Sequence, residues 1–440
     1  MYSCNECGYN TPDWLGRCPN CGEFGSIEQE QTTESEESNS SRSTAPRREP
    51  LSEIEVDDHP RISSGLSELD RVLGGGVVPG GVVLLGGPPG IGKSTLLLQW
   101  GAQWTGSADR PILYLNGEES GAQIARRARR IEAKSDRIEL ITAPTIESVA
   151  NEIEEWKPSL VFVDSIQTVT SEESGGMPGS MSQLRAVTQA VVRSSKRYMV
   201  PFVLIGHVTK EGDIGGPRRL EHMVDTVLYF DDTERGYRFV RSAKNRFGPT
   251  GELGIFEMTS KGLVPISDPG EYFCSPDSRE SGCMLTVSLE GTRPLLVEVQ
   301  ALVTPGRYGS PQRSATGFSR RRLTMLIAVL EKKLGLPLGE QDVFVNITGG
   351  LSLDDPAVDL AIAMSMVSSY RDEPLPKRSI GIGEVGLTGR IRSPAQLQRR
   401  LREANRLDPG PIVTGGDPSN PDVDVSAIST IAEATNFLLG

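Results

Sequence analysis

The sequence predicts an α/β fold, a mostly parallel sheet covered by helices on both faces, with a metal-held module before it and an α+β domain after it. Three observations predict this. Apolar runs alternate with amphipathic helical stretches between residues 59 and 270. A glycine-rich run, Gly87 to Ser94, sits between a strand pattern and a helix pattern. Beyond about residue 270 the texture changes to alternating strands such as Cys283 to Leu289 and Leu295 to Val303. A chain of 440 residues has length for several separate cores.

Residues 1–27 carry Cys4, Cys7, Cys18 and Cys21 in the spacing C-x2-C-x10-C-x2-C. Four thiolates complete a tetrahedral zinc site, and Gly8 and Gly22 permit the tight turn after each pair. Two disulfides are the competing reading, disfavoured because nothing else in the chain has a secretory character. So short a segment cannot fold on core burial alone; metal binding would supply its folding free energy, about 10 kcal/mol or more. Four cysteines also close the coordination sphere, which speaks against catalysis there. Cys274 and Cys283 lack further ligands and read as packed thiols. Residues 28–50 are rich in Glu, Ser, Thr and Gln, so the stretch 28–58 is expected to be a flexible linker.

Order resumes near Arg61, where Leu66, Leu69, Val72 and Leu73 have helical spacing that Gly74-Gly75-Gly76 ends. Val82 to Leu85 reads as a buried strand and Thr95 to Trp104 as a helix. Between them Gly87-Pro88-Pro89-Gly90-Ile91-Gly92-Lys93-Ser94 forms a triphosphate-binding loop. Its backbone N–H groups face phosphates, Lys93 reaches the β- and γ-phosphates, and Ser94 can ligate Mg²⁺. The strand Ile112 to Asn116 runs into Gly117-Glu118-Glu119, which delivers carboxylates to the same sheet edge. One of them would polarise the attacking water, Glu118 ahead of Glu119 because it lies nearer the strand end. An arginine-studded helix follows Glu119. Leu160 to Asp164 is a buried strand that places Asp164 in the Mg²⁺ shell.

A helix spans Ser182 to Tyr198, and the strand Phe202 to His207 ends in a residue that is either a γ-phosphate sensor or a satisfied polar terminus. Two glycine-rich loops, Thr170 to Met181 and Glu211 to Leu220 with Arg218 and Arg219, share this edge and are plausible contacts for a nucleic-acid strand. Lys244-Asn245-Arg246-Phe247-Gly248 packs two cations, an amide and an aromatic into five residues. The last domain adds helices at Arg320 to Leu334 and, entered through Asp355-Pro356, at Ala357 to Val367. No internal repeat of the nucleotide-binding domain is present, which argues against a tandem motor. The formal charge of −12 excludes a globally basic nucleic-acid binder, so any polyanion is held by local patches. No run of about 18 apolar residues and no signal pattern occur, which makes a cytoplasmic location without membrane contact the expectation.

The string Leu69-Asp70-Arg71-Val72-Leu73-Gly74-Gly75-Gly76, then Pro79-Gly80 and the phosphate loop, resembles the RecA/KaiC/DnaB class of motor domains. With the zinc module, the Lys244 to Gly248 pentapeptide and the downstream domain, the chain resembles the RadA/Sms family of bacterial DNA-repair ATPases. The resemblance implies a RecA-like P-loop core over 59–270, zinc at 1–27 and a Lon-protease-like α+β domain over 271–440. It implies a homohexameric ring that threads single-stranded DNA, hydrolyses ATP with Mg²⁺ at subunit interfaces, and drives branch migration of branched DNA alongside RecA. On this reading Gly87 to Ser94 and Thr95 hold nucleotide; Lys93, Glu118, Glu119 and Asp164 are catalytic; Ser94 and Asp164 hold Mg²⁺. Lys244, Asn245, Arg246, Phe247 and Gly248 would reach a neighbour's nucleotide or the DNA.

The run Gly383-Glu384-Val385-Gly386-Leu387-Thr388-Gly389-Arg390 resembles the Lon proteolytic domain, but its serine and lysine positions fall on Ala357 and Gln398. Neither side chain supports that nucleophilic chemistry, so the domain is expected to be a proteolytically inert scaffold or binding surface. Arg320, Arg321, Arg322, Arg399 and Arg400 are candidate DNA contacts, with solvated helix faces the competing reading. Ser319 stands where the family usually has an acidic residue. Two other functions stay open: an ATP-dependent Lon-like protease, and a nucleotide-gated DNA-binding scaffold that does not translocate.

Overall fold

The computed structural model describes residues 2–11, 13–29, 60–133, 135–142, 145–207, 220–232, 236–274, 280–306, 310–407, 409–416, 418 and 424–440. Most of the expected linker, and the loop 208–219 with Arg218 and Arg219, lie outside the described residues. The chain forms two compact units: 1–231, 240–249 and 259–264 make the first, and 232–239, 250–258 and 265–440 the second. The division therefore does not fall at one point near residue 270. Phe239, Leu253, Ile255 and Ile266 carry their apolar side chains into the same buried cluster as Leu295, Val297 and Leu326, which draws their strands into the second unit.

In the N-terminal module, β1 (Tyr2–Cys4) pairs antiparallel with β2 (Asn10–Thr11) and β3 (Ile27–Gln29). Such a three-stranded scrap buries almost no apolar surface besides its cysteines: Cys4 and Cys18 are its core. The large sheet of the first unit holds β4 (Val82–Gly87), β5 (Ile112–Asn116), β6 (Ile138–Ile141), β7 (Leu160–Asp164), β8 (Phe202–His207) and β9 (Thr226–Asp232), all parallel, in the order β9-β4-β8-β7-β5-β6. β10 (Tyr237–Asn245), β11 (Leu253–Thr259) and β12 (Gly262–Pro265) continue it beyond β9. β4, β5 and β7 are buried along their whole length, as continuous Val/Ile/Leu runs covered on both faces must be.

Among the described residues five helices cover this sheet: α1 (Ser67–Leu73), α2 (Lys93–Gln103), α3 (Gly121–Arg130), α4 (Ile146–Trp156) and α5 (Met181–Tyr198). α1 stops where Gly74 takes a left-handed conformation, and its N–H bonds the carbonyls of Arg71 and Asp70. α3 begins with a reciprocal capping box between Ser120 and Gln123. Because the strands are parallel, β4, β5, β7 and β8 all end at one edge, where the phosphate loop, Glu118, Asp164 and His207 lie, whereas Arg246 of the expected pentapeptide sits by the opposite edge, at the start of β4.

The second unit is a mixed sheet with helices. β13 (Cys283–Glu290) and β14 (Arg293–Pro305) form its antiparallel centre. β15 (Arg313–Thr316) and β16 (Gln341–Ile347) lie on one side, and β17 (Ile380–Ile382), β20 (Ile412–Thr414) and β21 (Val425–Ala427) on the other. β18 (Glu384–Val385) and β19 (Ile391–Arg392) make a separate hairpin. The helix Arg320–Leu334 stands as the sequence predicts. The helix expected from Ala357 instead opens as a 3-10 turn, Pro356–Val358, and becomes α-helical over Asp359–Arg371, because Pro356 and the Asp355 carboxylate, which caps Ala357 N–H at 3.1 Å, shape the entry.

Candidate functional site

The phosphate loop joins β4 to α2, and Gly92 caps the helix at φ 116°, a conformation only glycine adopts freely. Lys93 is almost wholly buried, and its ammonium donates to the carbonyl oxygens of Gly87 at 2.8 Å and Pro88 at 2.9 Å. Burial lowers its pKa to about 8, with Asp164 and Glu118 pulling the other way. A desolvated cation held at the mouth of an N-terminal helix turn is matched to a polyanion. Ser94 and Thr95 follow it into the first turn of α2.

Asp164 ends β7, is 7% exposed, and accepts a 2.5 Å hydrogen bond from Tyr114 of β5. Burial and the adjacent carboxylate raise the Tyr114 pKa well above its ordinary value, so the phenol stays a donor. Phe162 packs edge-on against both Tyr114 and Trp100, which fixes the base of this wall. The peptide following Asp164 is cis.

Glu118 and Glu119 diverge. Asn116, the last residue of β5, accepts from both of their N–H groups at 3.3 and 3.2 Å, an Asx turn that sets their directions. Gly117 presses so closely on the turn after β7 that a β-carbon there would fall 1.9 Å from Thr168 Oγ1. Glu118 then turns to the phosphate side: its Oε1 accepts from Ser165 Oγ at 2.5 Å and lies 3.1 Å from His207 Nε2. His207 Nδ1 is 3.4 Å from Lys93 Nζ. Glu119 instead pairs with Arg127 of α3 at 2.6 Å, a bond that also raises the Arg127 pKa.

The pentapeptide Lys244 to Gly248 closes β10 and is stitched into the first unit. Lys244 Nζ donates to the carbonyls of Glu221 at 2.6 Å and Val224 at 2.8 Å, and burial with the nearby Arg246 lowers its pKa. Asn245 Nδ2 reaches Leu73 O at the end of α1, 3.2 Å away, while its Oδ1 accepts from Phe247 N–H at 3.0 Å. Arg246 pairs with buried Asp225 at 3.2 Å, and Asp225 Oδ2 accepts from Val82 N–H, the first residue of β4, at 3.1 Å. Arg61 donates to the carbonyl of Phe247, and Gly248 approaches Gly74. The loop Thr170 to Met181 is anchored through Ser171, bonded to Glu147 and Gln183, and leaves Met177 81% exposed.

In the zinc module the Sγ atoms of Cys4, Cys7, Cys18 and Cys21 lie within 4.8 Å of one another, with Cys4–Cys21 at 3.6 Å and Cys7–Cys18 at 3.5 Å. A tetrahedron of sulfurs about 2.3 Å from zinc has edges of about 3.8 Å, so the donor set fits the ion. Two knuckle turns bring the pairs in, Gly8 N–H to Cys4 O and Gly22 N–H to Cys18 O, each at 2.8 Å.

In the second unit Ala357 is buried beside Val287, Ile380 and Leu401, and Gln398 donates its amide to the carbonyl of Pro418. Two of the five candidate DNA-facing arginines are engaged by carboxylates, and one of them, Arg400, is buried. Arg322 binds the fully buried carboxylate of Asp359 through two nitrogens, Nε at 2.6 Å. Arg400, 2% exposed, donates to Asp355 at 2.5 Å and Val287 O at 2.7 Å. Burial removes Arg400 from the solvent-facing set, while Arg322 stays partly exposed, with its guanidinium spent on Asp359; single-residue charge counting detects neither pairing. Ser319 caps its helix by accepting from Arg322 N–H at 3.4 Å.

Sequence reasoning missed Ser165, Tyr114, Asn116, Arg127 and Asp225. Asn116 alone carried a local signal, an Asx residue between a strand and a glycine.

Two family models match the chain: a rubredoxin metal binding domain over residues 2–29 and an AAA domain over residues 45–213. Over 451 residues the chain is 43% identical to the DNA repair protein RadA of Bacillus subtilis (strain 168), covering 100% of this chain and 98% of that one. The RadA of Listeria monocytogenes serovar 1/2a is 43% identical over 442 residues, 98% and 96% of the two chains. The RadA of Halalkalibacterium halodurans is 42% identical over 450 residues, 100% and 98%. The crystal structure of the RadB recombinase covers 47% of this chain and 99% of its own at 24% identity, with a TM-score of 0.38.

Proposed function

The chain belongs to the family of the DNA repair protein RadA, and we propose that it is the ATP-driven motor of its repair reaction, stimulated by single-stranded DNA and acting on branched recombination intermediates. Membership gives it a role in DNA repair and recombination, an AAA-type ATPase domain and an N-terminal zinc ribbon. The observation that carries the motor reading is the Glu118–His207–Lys93 chain of contacts at the mouth of the phosphate loop.

On this reading the loop Gly87 to Thr95 wraps the phosphates and Lys93 exchanges its two backbone carbonyls for phosphate oxygens. Glu118 accepts the proton of the attacking water. His207, bridging Glu118 and Lys93, reports whether the γ-phosphate is present. Ser94 and Asp164 are the residues that would hold Mg²⁺, which neutralises charge developing on the phosphates. Asp164 fits that role because its carboxylate is buried and steered by a neutral donor, Tyr114. Glu119, tied to Arg127, supports the turn.

The pentapeptide Lys244 to Gly248 acts on a neighbouring subunit's nucleotide or on DNA, which makes hydrolysis depend on a ring, most simply a homohexamer working beside RecA. Within one subunit Lys244 and Arg246 are held by Glu221, Val224 and Asp225, so such engagement requires those contacts to be exchanged. The C-terminal domain serves as a proteolytically inert, Lon-like scaffold.

Sizing the protein with ATP and single-stranded DNA while measuring hydrolysis tests the ring. A branch-migration assay then separates a motor from a nucleotide-gated scaffold. DNA binding without directional movement would leave only the scaffold, and DNA-stimulated hydrolysis unchanged by Lys93→Ala would remove the site.

A further inference from the structure

Ser165, the residue that follows β7, is fully buried, yet its hydroxyl donates to an ionisable group, Oε1 of Glu118, at 2.5 Å. The backbone that carries this hydroxyl is fixed from two sides. Its carbonyl accepts from Thr168 N–H at 3.2 Å and from Thr168 Oγ1 at 2.8 Å, and the next residue, Ile166, donates its N–H to Ile205 O of β8 at 3.0 Å. Thr168 is itself wedged against Gly117, the residue before Glu118. A hydroxyl shut off from water on so constrained a turn has the Glu118 carboxylate as its acceptor, and leaving it unpaired would be costly.

His207 Nε2 meets the same oxygen, Oε1, at 3.1 Å. Facing a carboxylate, Nε2 carries the proton, and Nδ1, 3.4 Å from the Lys93 ammonium, is then the acceptor; the neutral Nε2–H tautomer satisfies both contacts. Among the described residues both hydrogen bonds to the Glu118 carboxylate thus fall on Oε1, while the side chain stays 39% exposed.

We propose that Ser165 is a positioning residue for the general base: together with His207 it pins Oε1 of Glu118 and leaves Oε2 to take the proton of the attacking water. The inference rests on the reading of Glu118 as that base. In the step it serves, a water O–H bond breaks toward Oε2 and the water oxygen bonds the γ-phosphorus. The bond from that phosphorus to the bridging oxygen breaks, and its electron pair leaves with ADP. A glutamate side chain turns about three single bonds, so without an anchor its carboxylate samples orientations in which neither oxygen faces the water. The anchor comes from β7 and not from the glutamate's own turn, so the aim of the base is set by the packing of β5 against β7.

A double-mutant cycle on the full-length, zinc-loaded protein tests this, read by steady-state ATP hydrolysis with Mg²⁺ and single-stranded DNA and by titration with a fluorescent nucleotide. Ser165→Ala removes one oxygen and is expected to lower kcat by about 10- to 100-fold, with KM and nucleotide affinity within about twofold of wild type. In a Glu118→Gln background the same change should lower kcat by less than about twofold, because no base is left to aim. An equal factor in both backgrounds overturns the proposal, since a general lesion of the fold acts regardless of residue 118. Wild-type kcat in Ser165→Ala overturns it too, and a large loss in Glu118→Gln would then leave the base itself standing. Wild-type kcat in Glu118→Gln would instead remove the base reading, and this inference with it.

Discussion

The carboxylate of Glu118 and the imidazole of His207 meet at 3.1 Å although they leave strands that are not neighbours, β5 and β8, with β7 between them. The contact spans the end of β7, where Asp164 sits, and Ser165 fixes the same Glu118 oxygen from below. Glu118→Gln should reduce ATP turnover by about 10²- to 10⁴-fold, the usual range for loss of a general base, with nucleotide still bound. Glu119→Gln should cost far less, since Glu119 is spent on Arg127. Steady-state hydrolysis together with fluorescent-nucleotide titration checks both, and equal losses in the two variants would remove the distinction between them.

The buried ammonium of Lys93, lowered to about pH 8, predicts a pH dependence of two signs. Without nucleotide, folded and unfolded chains are both protonated below pH 8. Between about 8 and the ordinary lysine value of 10.5 the folded chain has lost the proton that the unfolded chain keeps, so this group adds stability as pH rises through that window. Nucleotide binding needs the charge and should weaken by up to about tenfold per pH unit above 8. In Lys93→Arg the charge persists and the slope should vanish. Flat binding from pH 7 to 9.5 in the wild type would contradict the assignment.

Arg322 neutralises a carboxylate that burial alone would raise in pKa, that of Asp359. Arg322→Ala should destabilise the C-terminal unit by about 3–5 kcal/mol, because it leaves Asp359 buried without its partner. Arg320→Ala and Arg321→Ala, on the exposed face of the same helix, should leave the melting temperature within a degree or so. Differential scanning calorimetry reads the contrast.

Zinc removal should unfold residues 2–29 and leave the ATPase domain intact, because the module's core is its cysteines. A strong chelator, or Cys4→Ser, is expected to abolish zinc content by elemental analysis while basal ATPase survives. Complete loss of ATPase would show that the module is not independent.

No ATP-dependent cleavage of an unfolded protein is expected. Restoring both side chains, Ala357→Ser with Gln398→Lys, should still yield an inactive domain, since position 357 sits in an apolar cluster next to the Asp355–Arg400 pair. Peptide release above background would revive the protease reading.

Much of this was legible in the sequence where the signal is local. β5, β7 and β8 occupy the stretches that apolar runs of five or six residues mark out, and the helix Arg320–Leu334 matches its periodicity. The short edge strand β6 escaped because Ile138 to Ile141 is half-exposed and carries no buried-strand run; helix α4 escaped too, although Ile146, Val149 and Ile153 have helical spacing. At the site, the types Lys, Glu and Asp were readable but their division of labour was not. What separates Glu118 from Glu119 is the partner each finds: Arg127 on the next helix for Glu119, but Ser165 and His207, 47 and 89 residues away, for Glu118, and the latter pairing is set by the sheet order. The same holds for Arg322 and Arg400, whose partners Asp359 and Asp355 are 37 and 45 residues away.

Asp225 holds Arg246 with one carboxylate oxygen and the first amide of the phosphate-loop strand with the other. One carboxylate thus joins Arg246 to the root of β4, so drawing Arg246 outward is expected to loosen its hold on the Val82 amide, and a tightening of β4 to strengthen it. The exchange rate of a single amide, Val82, would register traffic in both directions.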